Sequence, residues 1–297
     1  MKMKIDAVFS GGGVKAFAFL GALEALENKN YQIVRAAGSS AGAIVAGLLA
    51  AGYKVNELNQ IMLSKDLKVL LDSTKLEKYL PFLKWLSLYR SFGLYKGHLF
   101  EKWIEDLLAD KGVYTFADLE RDQLKLTVAD LSIGRLVVLP DDLQQVYGLS
   151  PERFSVAKAI RMSAGLPYFF RPIKLYDQEA KKHLMVDGAL LSSLPLWLFK
   201  SPDQKAIRPV IGFQLQSKEK YFTNFNINNG LQFSKTLIGT MRHAQDLRYI
   251  SKHEQPNIVF LDTDHVSVAD FSLSRQVREE LIETGKEKTT QFLIRSF

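Results

Sequence analysis

Two tight turns of small residues lie close together near the start of the chain. Each falls where an apolar run gives way to a helical pattern. Ile5 to Ser10 reads as a short buried strand and ends at Gly11-Gly12-Gly13. From Val14 to Glu27 the side chains Phe19, Leu23 and Leu26 recur at i, i+4 and i+7, the spacing of one helix face. Gln32 to Ala37 reads as a second strand and runs into Gly38-Ser39-Ser40-Ala41-Gly42. Ala41 to Tyr53 then carries no charge on any face, so it belongs inside the molecule. Strand, helix, strand and helix with short links leave little choice: neighbouring strands run parallel and helices cover the sheet.

The rest of the chain extends that plan. Lys65 to Trp103 mixes Lys68, Lys75, Lys78, Lys84, Arg90 and Lys96 with Leu80, Phe82, Trp85, Leu88, Tyr89 and Phe92, and reads as a helical insertion. Leu124–Ala129 and Arg135–Leu139 read as strands about a turn at Ser132-Ile133-Gly134. A helix over Ser155–Ser163 stops at Gly165-Leu166-Pro167. Leu184–Val186, Val210–Leu215 and Ile258–Leu261 are further strands, and Ser272–Leu293 is a closing helix loosened by Gly285. No linker divides the chain, so residues 1–297 are expected to form one α/β domain. With 47% hydrophobic residues that length builds a core without staples.

Composition removes several kinds of function. The chain has no cysteine, which excludes disulfide scaffolds, thiolate metal sites and cysteine nucleophiles. Its net charge of +7 favours polyanions, yet no zinc-ligand spacing, basic zipper or RNA-binding signature is present, so no nucleic-acid partner is expected. A surface moderately rich in lysine accounts for the charge as well. Met1-Lys2-Met3-Lys4 is followed by too short an apolar stretch for a secretory signal, because Asp6 interrupts it and the glycines end it. The expectation is a cytoplasmic protein free to touch an anionic membrane surface.

Three short motifs carry chemistry. Gly38-Ser39-Ser40-Ala41-Gly42 is a G-x-S-x-G sequence at a strand-to-helix junction, the context in which a sharp turn exposes a serine hydroxyl. Ser40 is the candidate nucleophile, and the start of the next helix favours a developing anion beside it. Gly11-Gly12-Gly13-Val14-Lys15-Ala16 leaves backbone N–H groups unobstructed. Such a loop stabilises the oxyanion of an acyl transfer, or holds the pyrophosphate of a dinucleotide. The dinucleotide reading needs an acidic residue ~20 positions on, and none occurs between Glu27 and Glu57; only Arg35 offers itself, to a 2′-phosphate. Asp187-Gly188-Ala189 ends a strand and supplies either a general base or a plain Asp-Gly turn. Of the histidines, His265 and then His243 could complete a Ser-His-Asp triad, although neither sits in a signature of its own.

In this order the three motifs resemble those of the patatin-like phospholipase family. Ala159-Ile160-Arg161-Met162-Ser163-Ala164-Gly165-Leu166-Pro167-Tyr168-Phe169-Phe170 is similar to the family's block before the aspartate. The likeness covers about residues 5–200, with 201–297 adding strands and a helix that complete the fold, and the helical insertion at about 65–103. It implies an α/β fold with a mainly parallel central sheet sandwiched by helices, in the patatin-like three-layer architecture. It implies a lipid acyl hydrolase that forms an acyl-enzyme, with Ser40 as nucleophile and Asp187 as base. The oxyanion hole falls to Gly11, Gly12, Gly13 and Val14, and no metal or cofactor is expected. The substrate is a phospholipid or other lipid ester. The chain departs from the family at Ala16, where glycine is usual, and at Ser193, where asparagine often precedes the proline by two. A solvated aspartate, with a pKa of ~3.9, is a feeble base, and burial at a strand end is what strengthens such a carboxylate.

Overall fold

The computed structural model describes residues 2–72, 88, 90–199, 207–216, 257–263 and 266–296, with isolated positions 227, 232, 236, 239 and 240. Trp85, Tyr89, His243 and His265 lie outside the described residues.

The chain opens as β1 (Met3–Phe9), α1 (Phe17–Asn28), β2 (Tyr31–Gly38) and α2 (Ala41–Ala50). β1 is buried on both faces from Ile5 to Phe9, which marks a central strand. α2 is buried around nearly its whole circumference, in keeping with its lack of charge. There follow α3 (Val55–Ser64), β3 (Gly93–Tyr95), α4 (His98–Ala109), β4 (Leu124–Asp130), β5 (Arg135–Leu139), α5 (Asp142–Tyr147) and α6 (Val156–Ser163). The chain closes with β6 (Tyr168–Phe170), β7 (Ile173–Tyr176), β8 (Lys182–Asp187), β9 (Val210–Gln216), β10 (Ile258–Asp262) and α7 (Arg275–Ser296).

The main sheet runs in the order β10-β9-β1-β2-β4-β8-β7, with β5 also on β4. The pairs from β10 through to β4 are parallel, whereas β5, β8 and β7 join antiparallel. The sheet is therefore mixed on the β4 side. Its principal core lies where Ile5, Ala7 and Phe9 face α1, α2 and α7.

One detail of register places the functional residues. β5 pairs along one edge of β4 from Leu126 to Asp130, so β2 and β8 must share the other edge. β2 climbs that edge until Gly38 lies opposite Leu126, and β8 descends it until Asp187 lies opposite Val128. The two strands thus meet end to end, separated by the span of Thr127, about 7 Å along β4. Whatever follows β2 and whatever ends β8 must come together.

Two expectations need correction. Of the stretch 65–103, residues 73–87 and 89 lie outside the described residues, and the described part is not all helical: β3 pairs parallel with β6 in a small second sheet, and Leu67–Leu70 forms a single helical turn. Gly285 does not loosen α7, which continues through it. A Cβ at Gly285 would lie 1.8 Å from the Ala18 carbonyl oxygen, so the glycine is where α7 and α1 touch backbone to backbone.

Candidate functional site

Ser40 follows β2 at the head of α2 with φ 56° and ψ −125°. For a residue with a side chain that backbone costs of the order of 1–3 kcal/mol and persists only where its surroundings enforce it. Here they do. The Ser39 N–H donates to the Phe9 carbonyl at 3.2 Å, and the Ser40 N–H donates to Ser163 Oγ at 3.1 Å. Ser39 Oγ donates to the Ser192 carbonyl at 2.7 Å. That uses its one proton, so Thr127 Oγ1 is the donor in the 2.5 Å bond between those two hydroxyls. The junction between β2 and β8 is thereby tied to the middle of β4.

The bend turns the Ser40 hydroxyl onto Asp187, and Oγ donates to Asp187 Oδ2 at 2.5 Å. Asp187 is 1% exposed and Ser40 7%. The other carboxylate oxygen, Oδ1, accepts the Ala189 N–H at 2.8 Å, and the Asp187 N–H donates to the Gly165 carbonyl at 3.0 Å. The carboxylate is therefore fixed in rotation and in position.

The glycine loop stands beside this pair. Of its four candidate donors, two are engaged within the fold. The Gly11 N–H donates to the Ser193 carbonyl at 3.1 Å and the Val14 N–H to the Val268 carbonyl at 3.1 Å. Among the described residues the Gly12 and Gly13 N–H groups have no acceptor. The Ser193 contact is made by backbone, so serine in place of asparagine leaves it intact. Ala16 stands on the wall of a cavity and does not block the loop.

That cavity starts at Ser40 and Gly13 and runs between α2, α3 and the aromatic side chains Phe100, Trp103, Phe169 and Phe170. Every side chain on its described wall other than that of Ser40 is hydrophobic. Its volume is about 100 Å³, a narrow space. Arg161 lies behind the aromatic wall, its guanidinium 4.6 Å from the centre of the Phe170 ring. It is fully buried and donates to the carbonyls of Lys96, Gly97 and Arg171. Burial pulls its pKa down to about 10, so it remains charged at neutral pH.

The structure also locates the other candidates. His183 is buried on β8, with Nδ1 2.7 Å from Asp130 Oδ2, an oxygen that also accepts the Tyr147 hydroxyl. His98 is exposed. Arg35, the one candidate for a 2′-phosphate, is paired with buried Asp6 at 2.5 Å and lies over the Phe199 ring. Sequence reasoning gave no role to Thr127 or Ser163. A threonine inside a strand carries no signal of its own, whereas Ser163 stood within the block quoted above for its likeness.

Comparison with known proteins bears on the family and the fold. A family model described as patatin-like phospholipase matches residues 7–200. The chain is 46% identical over 291 residues to the uncharacterized protein YqhO of Bacillus subtilis strain 168, covering 98% of each. Among solved structures, VipD from Legionella pneumophila is similar with a TM-score of 0.58 at 16% identity, over 99% of this chain and 67% of that one. ExoU in its complex with SpcU, from the Pseudomonas aeruginosa type III secretion system, has a TM-score of 0.54 at 18% identity. This chain spans 52% of that structure's chain, and at such identities both likenesses are of fold. Among the described residues no helix is long and apolar enough to cross a membrane. A family match that takes in both turns and the strand-end aspartate, with a relative alike along almost the whole chain, makes this chain a member of the patatin-like phospholipase family.

Proposed function

We propose that this protein hydrolyses carboxylic ester bonds of lipids, phospholipids foremost, through Ser40 and Asp187. The observation that carries the reading is the 2.5 Å bond from Ser40 Oγ to Asp187 Oδ2 on the wall of an apolar cavity. Ser40 Oγ attacks the ester carbonyl while its proton passes to Asp187 Oδ2. The carbonyl oxygen becomes an oxyanion, and the Gly12 and Gly13 N–H groups are the donors within the loop free to receive it. Loss of one such donor typically costs ~2.7–4 kcal/mol of transition-state stabilisation. Collapse of the tetrahedral intermediate breaks the ester C–O bond, and the departing alkoxide takes the proton from Asp187. Water then attacks the acyl-enzyme with Asp187 again as base, which frees the fatty acid and restores Ser40.

The cavity suits the acyl chain, since a narrow apolar channel takes a polymethylene chain and rejects a charged head group. Val69, Phe92 and Leu99 are exposed apolar side chains close in sequence to Leu67, Leu70 and Phe100 on the cavity wall. Lys65, Lys68, Arg90 and Lys96 accompany them. This mixture fits transient contact with an anionic membrane that delivers the substrate.

The test is labelling by a fluorophosphonate probe with peptide mapping, then hydrolysis of lipid esters in anionic micelles. We expect the label on Ser40, its loss in Ser40→Ala, a fall of at least about 100-fold in Asp187→Asn, and retention in His265→Ala and His243→Ala. Loss of labelling in either histidine variant would move the base to that histidine. A wild-type protein that takes no label in micelles is not a hydrolase of this type.

A further inference from the structure

The end of α6 touches the backbone of both members of the Ser40–Asp187 pair. Ser163, its last residue, is fully buried, and its Oγ accepts the Ser40 N–H at 3.1 Å. Two residues on, the Gly165 carbonyl accepts the Asp187 N–H at 3.0 Å. With the bond from Ser40 Oγ to Asp187 Oδ2, these contacts close a ring: α6 end, nucleophile elbow, strand-end carboxylate and back.

Within that ring Ser163 has a specific task. The bend at Ser40 turns its N–H out of the direction that a strand ladder would use, and β2 pairs with β4 only as far as Gly38. The N–H is left in a buried place, where an unpaired donor is costly. Ser163 Oγ is the acceptor that the structure provides. Removing it frees the elbow to relax toward ordinary backbone angles, which swings Oγ away from Asp187 and from the glycine loop.

The segment is itself firmly held. Two residues earlier, Arg161 fastens α6 to the carbonyls of Lys96, Gly97 and Arg171. Between and beyond the two contact residues, Ala164 and Leu166 line the cavity. The piece that fixes the pair is thus also part of the wall against which substrate would lie.

We propose that Ser163 is a positioning residue for Ser40, holding the nucleophile's backbone so that Oγ stays in line with Asp187. This rests on the reading of Ser40 as nucleophile. Ser163 touches neither substrate nor proton in the reaction, so its loss should act on the chemical step and leave binding alone.

The experiment uses the full chain as wild type, Ser163→Ala and Ser163→Cys. Cysteine keeps the shape and replaces the oxygen with a poor acceptor. The readouts are the rate of fluorophosphonate labelling at Ser40, kcat and KM on a water-soluble short-chain ester, and the thermal midpoint. We expect labelling and kcat to fall about 10- to 100-fold in both variants, with KM within about twofold, as for a displaced reacting group. Folded variants that label at the wild-type rate overturn the proposal. So does a loss of kcat seen only with a matching collapse of the midpoint in both. If alanine alone fails to fold, the cysteine variant decides by the same criteria. A wild-type protein that takes no label at Ser40 fails the nucleophile reading itself and the proposal with it, an outcome distinct from equal labelling of wild type and variants.

Discussion

At the scale of single residues, two neighbouring glycines of the same loop make different demands. A Cβ at Gly12 would lie 2.3 Å from Leu215 Cδ1, the far end of a side chain that can turn aside. A Cβ at Gly13 would lie 2.0 Å from the Val268 carbonyl oxygen, which already accepts the Val14 N–H, and Gly13 has φ +58°. Gly13→Ala therefore adds left-handed strain, of the order of 1–3 kcal/mol, to a backbone collision. Gly12→Ala asks the Leu215 side chain to turn aside and its Cβ, 3.2 Å away, to give by a few tenths of an ångström. We expect Gly13→Ala to lower the thermal midpoint and to slow Ser40 labelling together, with Gly12→Ala close to wild type in midpoint; equal midpoints would remove the distinction. The sequence makes such residues readable in part. Ser40 and Asp187 stand out because their chemistry needs those residue types at turns between elements. Thr127 and Ser163 do not, since their contacts depend on register between segments 88 and 123 residues apart in sequence.

At the scale of elements, hydrophobic pattern predicted β1, α1, β2, α2 and the β4–β5 hairpin: a one-sided helical period for α1, short apolar runs for the strands, and the absence of charge for α2. It did not predict β7, where Leu175 is the only fully buried side chain, or the three-residue strands β3 and β6, too short to show a period. It also misread Gly285 as a weak point of its helix. Helix propensity alone says that alanine there should stabilise by roughly 1 kcal/mol. The packing says the opposite. The Gly21 Cα faces the Ile282 carbonyl, with a built Cβ 1.7 Å from its oxygen, and Gly285 faces Ala18 in the same way. The collisions are with backbone, which cannot rotate away, so α1 and α7 would have to separate along their shared face. Gly285→Ala should lower the thermal midpoint, as measured by calorimetry, and a rise would show that the helices part at little cost.

At the scale of the whole molecule, the region matched by the family model does not contain everything that shapes the site. The early βαβα order made the parallel half of the sheet legible. The end-to-end meeting of β2 and β8 was not legible, since strand patterns carry period and burial but not partners. Nor was the share of the C-terminal residues in the glycine loop. β9 pairs with β1 from Asp6↔Val210 to Phe9↔Phe213, and the Leu215 N–H donates to Ser10 Oγ just before that loop. Val268 holds Val14, and Arg278 on α7 donates to the carbonyls of Met62, Lys65 and Leu273 while lying over Phe17. Without residues 201–297, β1 becomes an edge with unpaired backbone, and the buried face of α1 meets water. The glycine loop loses the Val268 carbonyl that holds the Val14 N–H and the Leu215 bond to Ser10 beside it, and keeps only the Ser193 contact to Gly11. We therefore expect a 1–200 fragment to lack a cooperative thermal transition and to take no fluorophosphonate label. Adding a separately made 201–297 fragment should restore labelling, because what is missing is packing and backbone pairing and no reacting group. A 1–200 fragment that melts sharply and labels at the full-chain rate would show that the site needs neither β9 nor α7.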